Sequence, residues 1–413
     1  MHRHRLALLL ILCTAPRVFA ALPPVPVPAE NPVTEPKRVL GKILFWDEQL
    51  STNGTVACGT CHRPAYGGAD PRVGRNPGKD KGTIDDVLGS PGIALLDRAG
   101  KPQLHPVYGA APQVTPRTAP SNFGALWAER VFWDGRAGPV FKDPVTGKVA
   151  IARGGALENQ TLTALMNPAE MAKTGRTWAE LAADVANARP LALASDLPQD
   201  VAAAIAAAGT YPRLFAAAFG DAAITPVRIA FAIATYQRTL VADQTLWDRF
   251  DAGDAGALTG RALAGWRALQ AFHCTACHAP PLFTNNDFFQ IGLRRADFDL
   301  GRENVTHDPE DAGEMKVPTL RNAALLPRFM HTGEFSNLGA AIRFYQNTMP
   351  LPERDDIPGF GIYAFNVSQI DEGDIREFIT SALTDPRVRN ERFPFDRPKL
   401  RSEREAPRVS QSQ

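Results

Sequence analysis

Apolar and polar positions fall into helical rather than alternating patterns over most of the chain. The first strong segment is residues 6–13 (LALLLILC), a short apolar run behind His2, Arg3, His4 and Arg5. It covers less than half of a membrane span. The basic start and the small residues that end at Ala20 give residues 1–20 the form of a signal peptide, cleaved near Ala20. No other stretch is long and apolar enough to cross a bilayer, so no stable membrane span is expected. Residues 21–34 are Pro-rich and extended. Leu40, Ile43, Leu44 and Phe45 share a face of a helix predicted over 35–46. Residues 63–120 hold many Gly, Pro and Asp with little periodicity and read as loop. Ala-rich periodic runs predict helices near 156–172, 177–188, 198–208 and 212–219. Thr225, an N-cap ahead of Pro226, opens a helix to about 241, and Thr259 caps another that runs into Cys274.

Composition narrows this picture. The chain has 413 residues, with 45 Lys+Arg against 44 Asp+Glu, and removal of Arg3, Arg5 and Arg17 tips the balance slightly acidic. A near-neutral chain lacks the basic field of a nucleic-acid binder. With 44% hydrophobic and 22% charged residues it is an ordinary globular protein of two to three domains.

The cysteines carry the chemistry. Of the 5, Cys13 lies in the signal peptide. The other four form two pairs, each followed by histidine: Cys58-Gly59-Thr60-Cys61-His62 and Cys274-Thr275-Ala276-Cys277-His278. Cys-x-x-Cys-His is the attachment pattern of c-type haem. The two thiols reach the vinyl groups on one porphyrin edge, and the adjacent imidazole ligates the iron. A redox dithiol, a zinc site or a disulfide are the competing readings of one such motif. Two copies behind an export signal, with no cysteine left over, favour two covalently bound haems.

The two halves echo each other. Leu40-Gly41…Leu44-Phe45 before the first motif resembles Ala264-Gly265…Leu269…Phe272 before the second. The expected fold is mainly α, with two cytochrome-c-like haem domains and long irregular loops. The expected division is 1–20 signal peptide, 21–224 N-terminal domain, 225–385 C-terminal domain and 386–413 charged Pro-rich tail. The last ten residues read as disordered, and Pro394-Phe395-Asp396-Arg397-Pro398 as a segment that could dock on the body.

The chain resembles the bacterial di-haem cytochrome c peroxidase family, which includes the MauG-type enzymes. Besides the haem motifs, the resemblance rests on Arg117-Thr118-Ala119-Pro120, Phe132-Trp133-Asp134-Gly135-Arg136 and Leu157-Glu158-Asn159-Gln160 with Asn167-Pro168-Ala169-Glu170-Met171. In the second half it rests on Lys316-Val317-Pro318-Thr319-Leu320-Arg321-Asn322 and His331-Thr332-Gly333. It implies that the haem on His62 reacts with peroxide, with Glu170 as acid–base catalyst and Gln160 as its partner. Heterolysis needs a group that takes a proton from one peroxide oxygen and returns it to the other. Read alone, Glu170 could be a capping carboxylate. The resemblance also implies that Trp133 lies between the haems; read alone, it could be a core aromatic.

At the second haem, His278 is the implied proximal ligand. The classical peroxidases carry a methionine fourteen residues after the histidine of His-x-Gly, and here that position is Tyr345, the residue of the MauG type. Met349, one helical turn on, is the alternative ligand, and Met315 and Met330 are weaker ones. Seven residues before Arg117, where the classical enzymes have a distal histidine, stands Ala110. This favours an open first haem, with His105 as the alternative ligand. Further departures are Ala164 for a distal-pocket proline, Thr118 for an asparagine that binds calcium, and Phe272 for a surface tryptophan of the amine-dehydrogenase-maturing enzyme. The Leu326 and Arg328 carbonyls leave one calcium ion open; Asp80, Asp85 and Asp86 either bind calcium or cap turns.

The expected function is a periplasmic di-haem peroxidase, reducing hydrogen peroxide with electrons from a small redox protein, a c-type cytochrome or cupredoxin. The first alternative is a MauG-type enzyme that oxidises Trp or Tyr residues of a protein substrate. The second is a non-catalytic electron-transfer cytochrome, which has no use for Glu170 or an open haem.

Overall fold

The first helix, α1 (Glu35–Trp46), starts after Thr34 with a proline in its first turn, where the missing N–H has no intrahelical partner to lose. It ends at Asp47, whose carboxylate accepts from the Gln49 N–H at 2.9 Å and so caps the following turn. The single turn α2 (Cys58–Cys61) carries the first haem motif. After a long loop come α3 (Ala156–Met166), α4 (Trp178–Asn187), α5 (Gln199–Ala208), α6 (Tyr211–Phe219) and α7 (Pro226–Gln237). The second half holds α8 (Leu246–Asp251), α9 (Gly260–Ala271), α10 (Glu303–Thr306), α11 (Leu338–Phe344) and α12 (Gln369–Glu377). The short helices α13 (Pro386–Arg389) and α14 (Arg401–Glu405) follow. The described strands form three small antiparallel ladders: β1 (Gly74–Asn76) with β2 (Val87–Gly89), β3 (Phe141–Lys142) with β4 (Val149–Ile151), and β5 (Phe288–Phe289) with β6 (Met315–Lys316). This is a computed structural model describing residues 22–78, 82–83, 85–345 and 369–405. The expected signal peptide, Asp80, Met349 and most of the final ten residues lie outside the described residues.

The fold is mainly α-helical, as expected. Thr225 caps α7, its hydroxyl accepting from the Arg228 N–H at 3.2 Å. Two helices are shorter than their periodicity suggests. α3 stops at Met166 rather than 172, because the residue before Pro168 is pushed out of the helical region. α7 stops at Gln237 rather than 241, where the backbone tightens into three-residue turns, Thr239 N–H to Tyr236 and Leu240 N–H to Gln237.

Each half is organised around one helix crossing. α1 packs on α7 and α9 packs on α12. In both, a glycine sits at the contact: a methyl at Gly41 would lie 1.9 Å from the Ala232 carbonyl oxygen, and one at Gly265 would lie 1.9 Å from that of Asp374. The crossings are backbone against backbone, and the echo between Leu40-Gly41 and Ala264-Gly265 is the record of that approach. Trp46 and Tyr236 close the first crossing, the indole N–H donating to the phenol oxygen at 3.2 Å.

Two apolar cores follow. The first joins α1, α3, α4, α6 and α7, with Leu40, Ile43, Leu181, Phe215, Ile229 and Ile233 buried. The second gathers Trp247, Leu258, Leu269, Phe283, Ile375 and Phe378. Since α7 belongs to the first core, we place the join between the halves near residue 243 rather than at 224/225. The Pro-rich segment after α12 returns to the first core, where Val388, Phe395 and Leu400 are fully buried. Lys42 Nζ pairs with Asp396 at 2.9 Å, and Arg63 with Glu403 at 2.7 Å, so the segment straps the chain beside the first haem motif.

Gly41→Ala and Gly265→Ala are each expected to destabilise the haem-loaded protein by about 1–3 kcal/mol or more, since the added methyl meets backbone that cannot rotate away. Gly256→Ala, in an exposed turn with its nearest neighbour 3.4 Å away, should change stability by less than about 0.5 kcal/mol. Denaturant unfolding monitored by circular dichroism checks both.

Candidate active site

His62 caps the end of α2, and its Nδ1 lies 2.9 Å from the Gly68 carbonyl. That nitrogen therefore carries the proton, and Nε2 is left to ligate. His278 repeats the arrangement, with Nδ1 3.2 Å from the Phe283 carbonyl. Burial lowers the pKa of both imidazoles, favouring the neutral form that binds a metal. The four thiols form no disulfide. Burial pushes the Cys58 thiol up to about 12 and that of Cys274 up to about 11. A catalytic dithiol needs the opposite shift. Among the described residues, no group of three or more His, Cys, Asp and Glu is placed to hold a lone metal ion.

A cavity of about 570 Å³ opens at His62. Cys61, Trp133, Gln160 and Glu170 line it from the N-terminal half, and Arg294, Lys316 and His331 from the C-terminal half. Its size and the free imidazole nitrogen in its wall fit a haem. Gln160 comes from α3. Glu170 comes from the turn that ends it, and Asn167 builds that turn. The Asn167 carbonyl accepts from the Glu170 N–H at 3.0 Å, and its Oδ1 accepts from the Ala169 N–H at 2.9 Å. Its Nδ2 donates to Glu170 Oε1 at 2.6 Å. Burial raises the Glu170 pKa, while Asn167 and then Arg136 pull it down. In the sequence, the signal for Asn167 is the Asn-Pro turn ahead of the glutamate.

Trp133 is held from both halves. Its indole N–H donates to the Thr118 carbonyl at 2.9 Å, and its own carbonyl accepts from the Lys316 N–H at 2.7 Å. Its ring stands edge-on to His331, with centroids 6.1 Å apart. Around it the family-like motifs form an ion network. Arg117 pairs with Asp134 at 2.7 Å and with Asp299 at 2.6 Å, and Asp134 also pairs with Arg136 at 3.0 Å. Burial pushes His331 down to about 4, against Asp299 and with help from Arg117 and Arg294. Glu158, from the same motif as Gln160, is instead structural: it is fully buried and pairs with Arg238 at 2.6 Å.

His105 does not line this cavity. Its Nδ1 accepts from the Val107 and Tyr108 N–H groups at 3.0 and 3.3 Å and caps a turn. Ala110 is exposed. Asp86 pairs with Arg75 at 2.8 Å, and Asp85 accepts from the Thr83 hydroxyl. Tyr345 ends α11. Burial raises its phenol pKa, with the Cys274 and Cys277 thiols adding to the rise, which puts the phenol near the second haem motif. Phe272 packs on the second core.

Known proteins resemble this chain along most of its length. The family model described as di-haem cytochrome c peroxidase matches residues 35–256. The methylamine utilization protein MauG of Paracoccus denitrificans is 30% identical over 386 residues, covering 86% of each chain. The cytochrome c peroxidase Ccp of Escherichia coli is 28% identical over 348 residues, covering 81% of this chain and 59% of that protein. A solved MauG-like protein associated with microbial copper homeostasis has the same fold, with a TM-score of 0.63 at 24% identity over 93% of this chain and 97% of that one. This chain belongs to the di-haem cytochrome c peroxidase family, oxidoreductases that act on peroxide and carry two c-type haems.

Proposed function

We propose that the chain reduces hydrogen peroxide in the His62 cavity, with Glu170 as its acid–base catalyst and Gln160 orienting the substrate. The observation that supports it is the convergence of Glu170, Gln160 and His62 on one cavity, with the glutamate clamped by Asn167. Cys58, Cys61 and His62 would hold the haem there, and its iron supplies the reduction. One peroxide takes two electrons and two protons and leaves as two waters. Glu170 accepts the proton of the inner oxygen and delivers it to the departing one, and its raised pKa suits both halves of that task. The Gln160 amide fixes the peroxide so that the carboxylate faces the right oxygen.

Cys274, Cys277 and His278 would hold the second haem, and Tyr345 would be a further ligand for its iron. Electrons enter there from a small redox protein, a c-type cytochrome or cupredoxin, and Trp133 lies on their way. The signal-peptide-like start and the two haem motifs support a periplasmic location. Any calcium ion between the halves relies on main-chain carbonyls, because Thr118 brings no carboxamide and its hydroxyl donates to the Met330 carbonyl at 3.0 Å.

One observation favours a second reading. With Tyr345 beside the second motif and His105 outside the cavity, the ligand set resembles the MauG type, whose oxidising power is spent on Trp or Tyr of a partner protein. A phenolate stabilises ferric iron better than a thioether does.

Glu170→Gln should keep both haems and lose about two to four orders of magnitude in peroxide turnover, read by stopped-flow absorbance. Unchanged turnover removes the proposed role, and electron transfer without peroxide turnover in the wild type makes the chain a carrier. Asn167→Ala takes away a hydrogen bond that favours the Glu170 carboxylate, so its pKa rises and less of the base form survives as pH falls. The acid limb of kcat/KM should move to higher pH by about one unit. Stoichiometric peroxide added to the fully ferric protein should give a prompt visible and near-infrared change with no reductant. A requirement for prior reduction of the His278 haem would point to methionine ligation instead. His105→Ala should leave the ferric spectrum unaltered.

A further inference from the structure

Four cationic side chains line the His62 cavity: Arg117, Arg136, Arg294 and Lys316. The first two are committed to Asp134 and Asp299. The other two, both from the C-terminal half, have unmet capacity. Arg294 is only 8% exposed. Its Nη2 donates to the Asp86 carbonyl at 2.7 Å and reaches Glu334 Oε2 at 3.4 Å. Its Nε and Nη1 are buried with no hydrogen-bond partner. Arg38, Arg63 and Arg176 each bury one such nitrogen away from the cavity; among the described residues Arg294 buries two, and it lines the cavity. Lys316 makes one side-chain hydrogen bond among those described, Nζ to Asn286 Oδ1 at 3.1 Å. Burial pushes its amine down to about 8, with no carboxylate acting against that.

Both residues are held in place. β6 carries Lys316 and pairs it with Phe288 of β5, while its N–H is tied to Trp133. The Arg294 anchor at Asp86 belongs to the N-terminal half. Glu170, the catalytic carboxylate of the same cavity, answers to Asn167 and Arg136 and not to these two.

We propose that Arg294 and Lys316 form a seat for a pair of carboxylates, and that these are the two propionates of the haem carried by His62. The proposal rests on reading that cavity as a haem site. A haem brings two negative charges into a wall that otherwise holds two incompletely partnered cations. The free Nε and Nη1 lie on different edges of the guanidinium, so Arg294 takes one carboxylate through single charge-assisted hydrogen bonds, and the ammonium takes the other as a point charge. The seat has a structural consequence. Cys58, Cys61 and His62 hold the haem from the N-terminal half and these cations from the C-terminal half, so the cofactor itself fastens the two halves together.

The test uses the full-length, haem-loaded protein and the variants Arg294→Gln, Lys316→Gln and Arg294→Lys. Haem content is measured by pyridine haemochrome, and each haem's midpoint potential is followed against pH by spectroelectrochemistry. The glutamine variants should retain two haems. The midpoint potential of the His62 haem should fall, because a nearby cation no longer favours its reduced form. The pH-linked inflection from its propionates should move up by about one to three units. Arg294→Lys should restore part of the shift, and the His278 haem should not change. Full loading with wild-type potentials and inflections in both glutamine variants overturns the seat. Wild-type protein with no haem at His62 overturns the reading beneath it. Unchanged potentials, together with a calorimetric response to acetate that wild type shows and both glutamine variants lose, would assign the cations to a free carboxylate and overturn the haem assignment.

Discussion

Backbone touching backbone at two glycines is the constraint from which the rest of the molecule follows. α1 and α7, like α9 and α12, approach until the only side chain that fits at the contact is a hydrogen. Such close crossings leave each helix one orientation relative to its partner, and the chain leaving the first helix of each pair leads straight to a haem motif. In the second half the motif begins within three residues of α9; in the first, a capped turn at Asp47 and a short loop intervene before α2. The glycines therefore do more than permit packing. They set where the thiols and imidazole of each motif stand relative to their own core.

The joint between the halves is polar, and its energetics suggest a different purpose. Arg117, Asp134 and Asp299 are mostly buried, and a buried ion network often returns little net stability once desolvation is counted. What it supplies is register. Asp134 belongs to the same short motif as Trp133, and Asp299 to the opposite half. When Arg117 bridges them, Trp133 is fixed between the Thr118 carbonyl on one side and the Lys316 N–H on the other. An apolar joint of equal area could slide by a few tenths of an ångström; charge-assisted hydrogen bonds cannot do so without losing their geometry.

The sequence made some of this legible and hid the rest, for physical reasons. Helices with strong caps or periodic faces were readable: α1, α4 and α5 lie within a residue of expectation, because local preference and burial agree there. The haem motifs were readable because covalent attachment demands a fixed spacing. The ends of α3 and α7 were not, since a single following proline or a tightened turn decides them. Nor was the assignment of α7 to the first core, which depends on a contact with a helix almost two hundred residues earlier. The tail reads as charged and Pro-rich, with Pro394–Pro398 as a segment that could dock, and it does dock. Its few apolar residues, Val388, Phe395 and Leu400, pack into the first core. At the site, Gln160 and Glu170 are what the family resemblance implies, but the contacts of Asn167 and Arg294 depend on hydrogen-bond geometry that no spacing rule encodes.

The cavity also divides its labour between the halves. The N-terminal half supplies His62, Gln160 and Glu170, while the C-terminal half supplies Arg294, Lys316 and His331. Exclusion of water sharpens every one of these charges. It lifts the Glu170 carboxyl toward neutrality, keeps His331 uncharged and leaves the Lys316 amine looking for an anion. Neither half alone is a site of this kind, because each has its wall open where the other belongs. A peroxidase that must deliver electrons from one half and protons from the other gains from this arrangement. The groups of the two halves meet at the Trp133 joint, and the burial they share belongs to that joint rather than to either half.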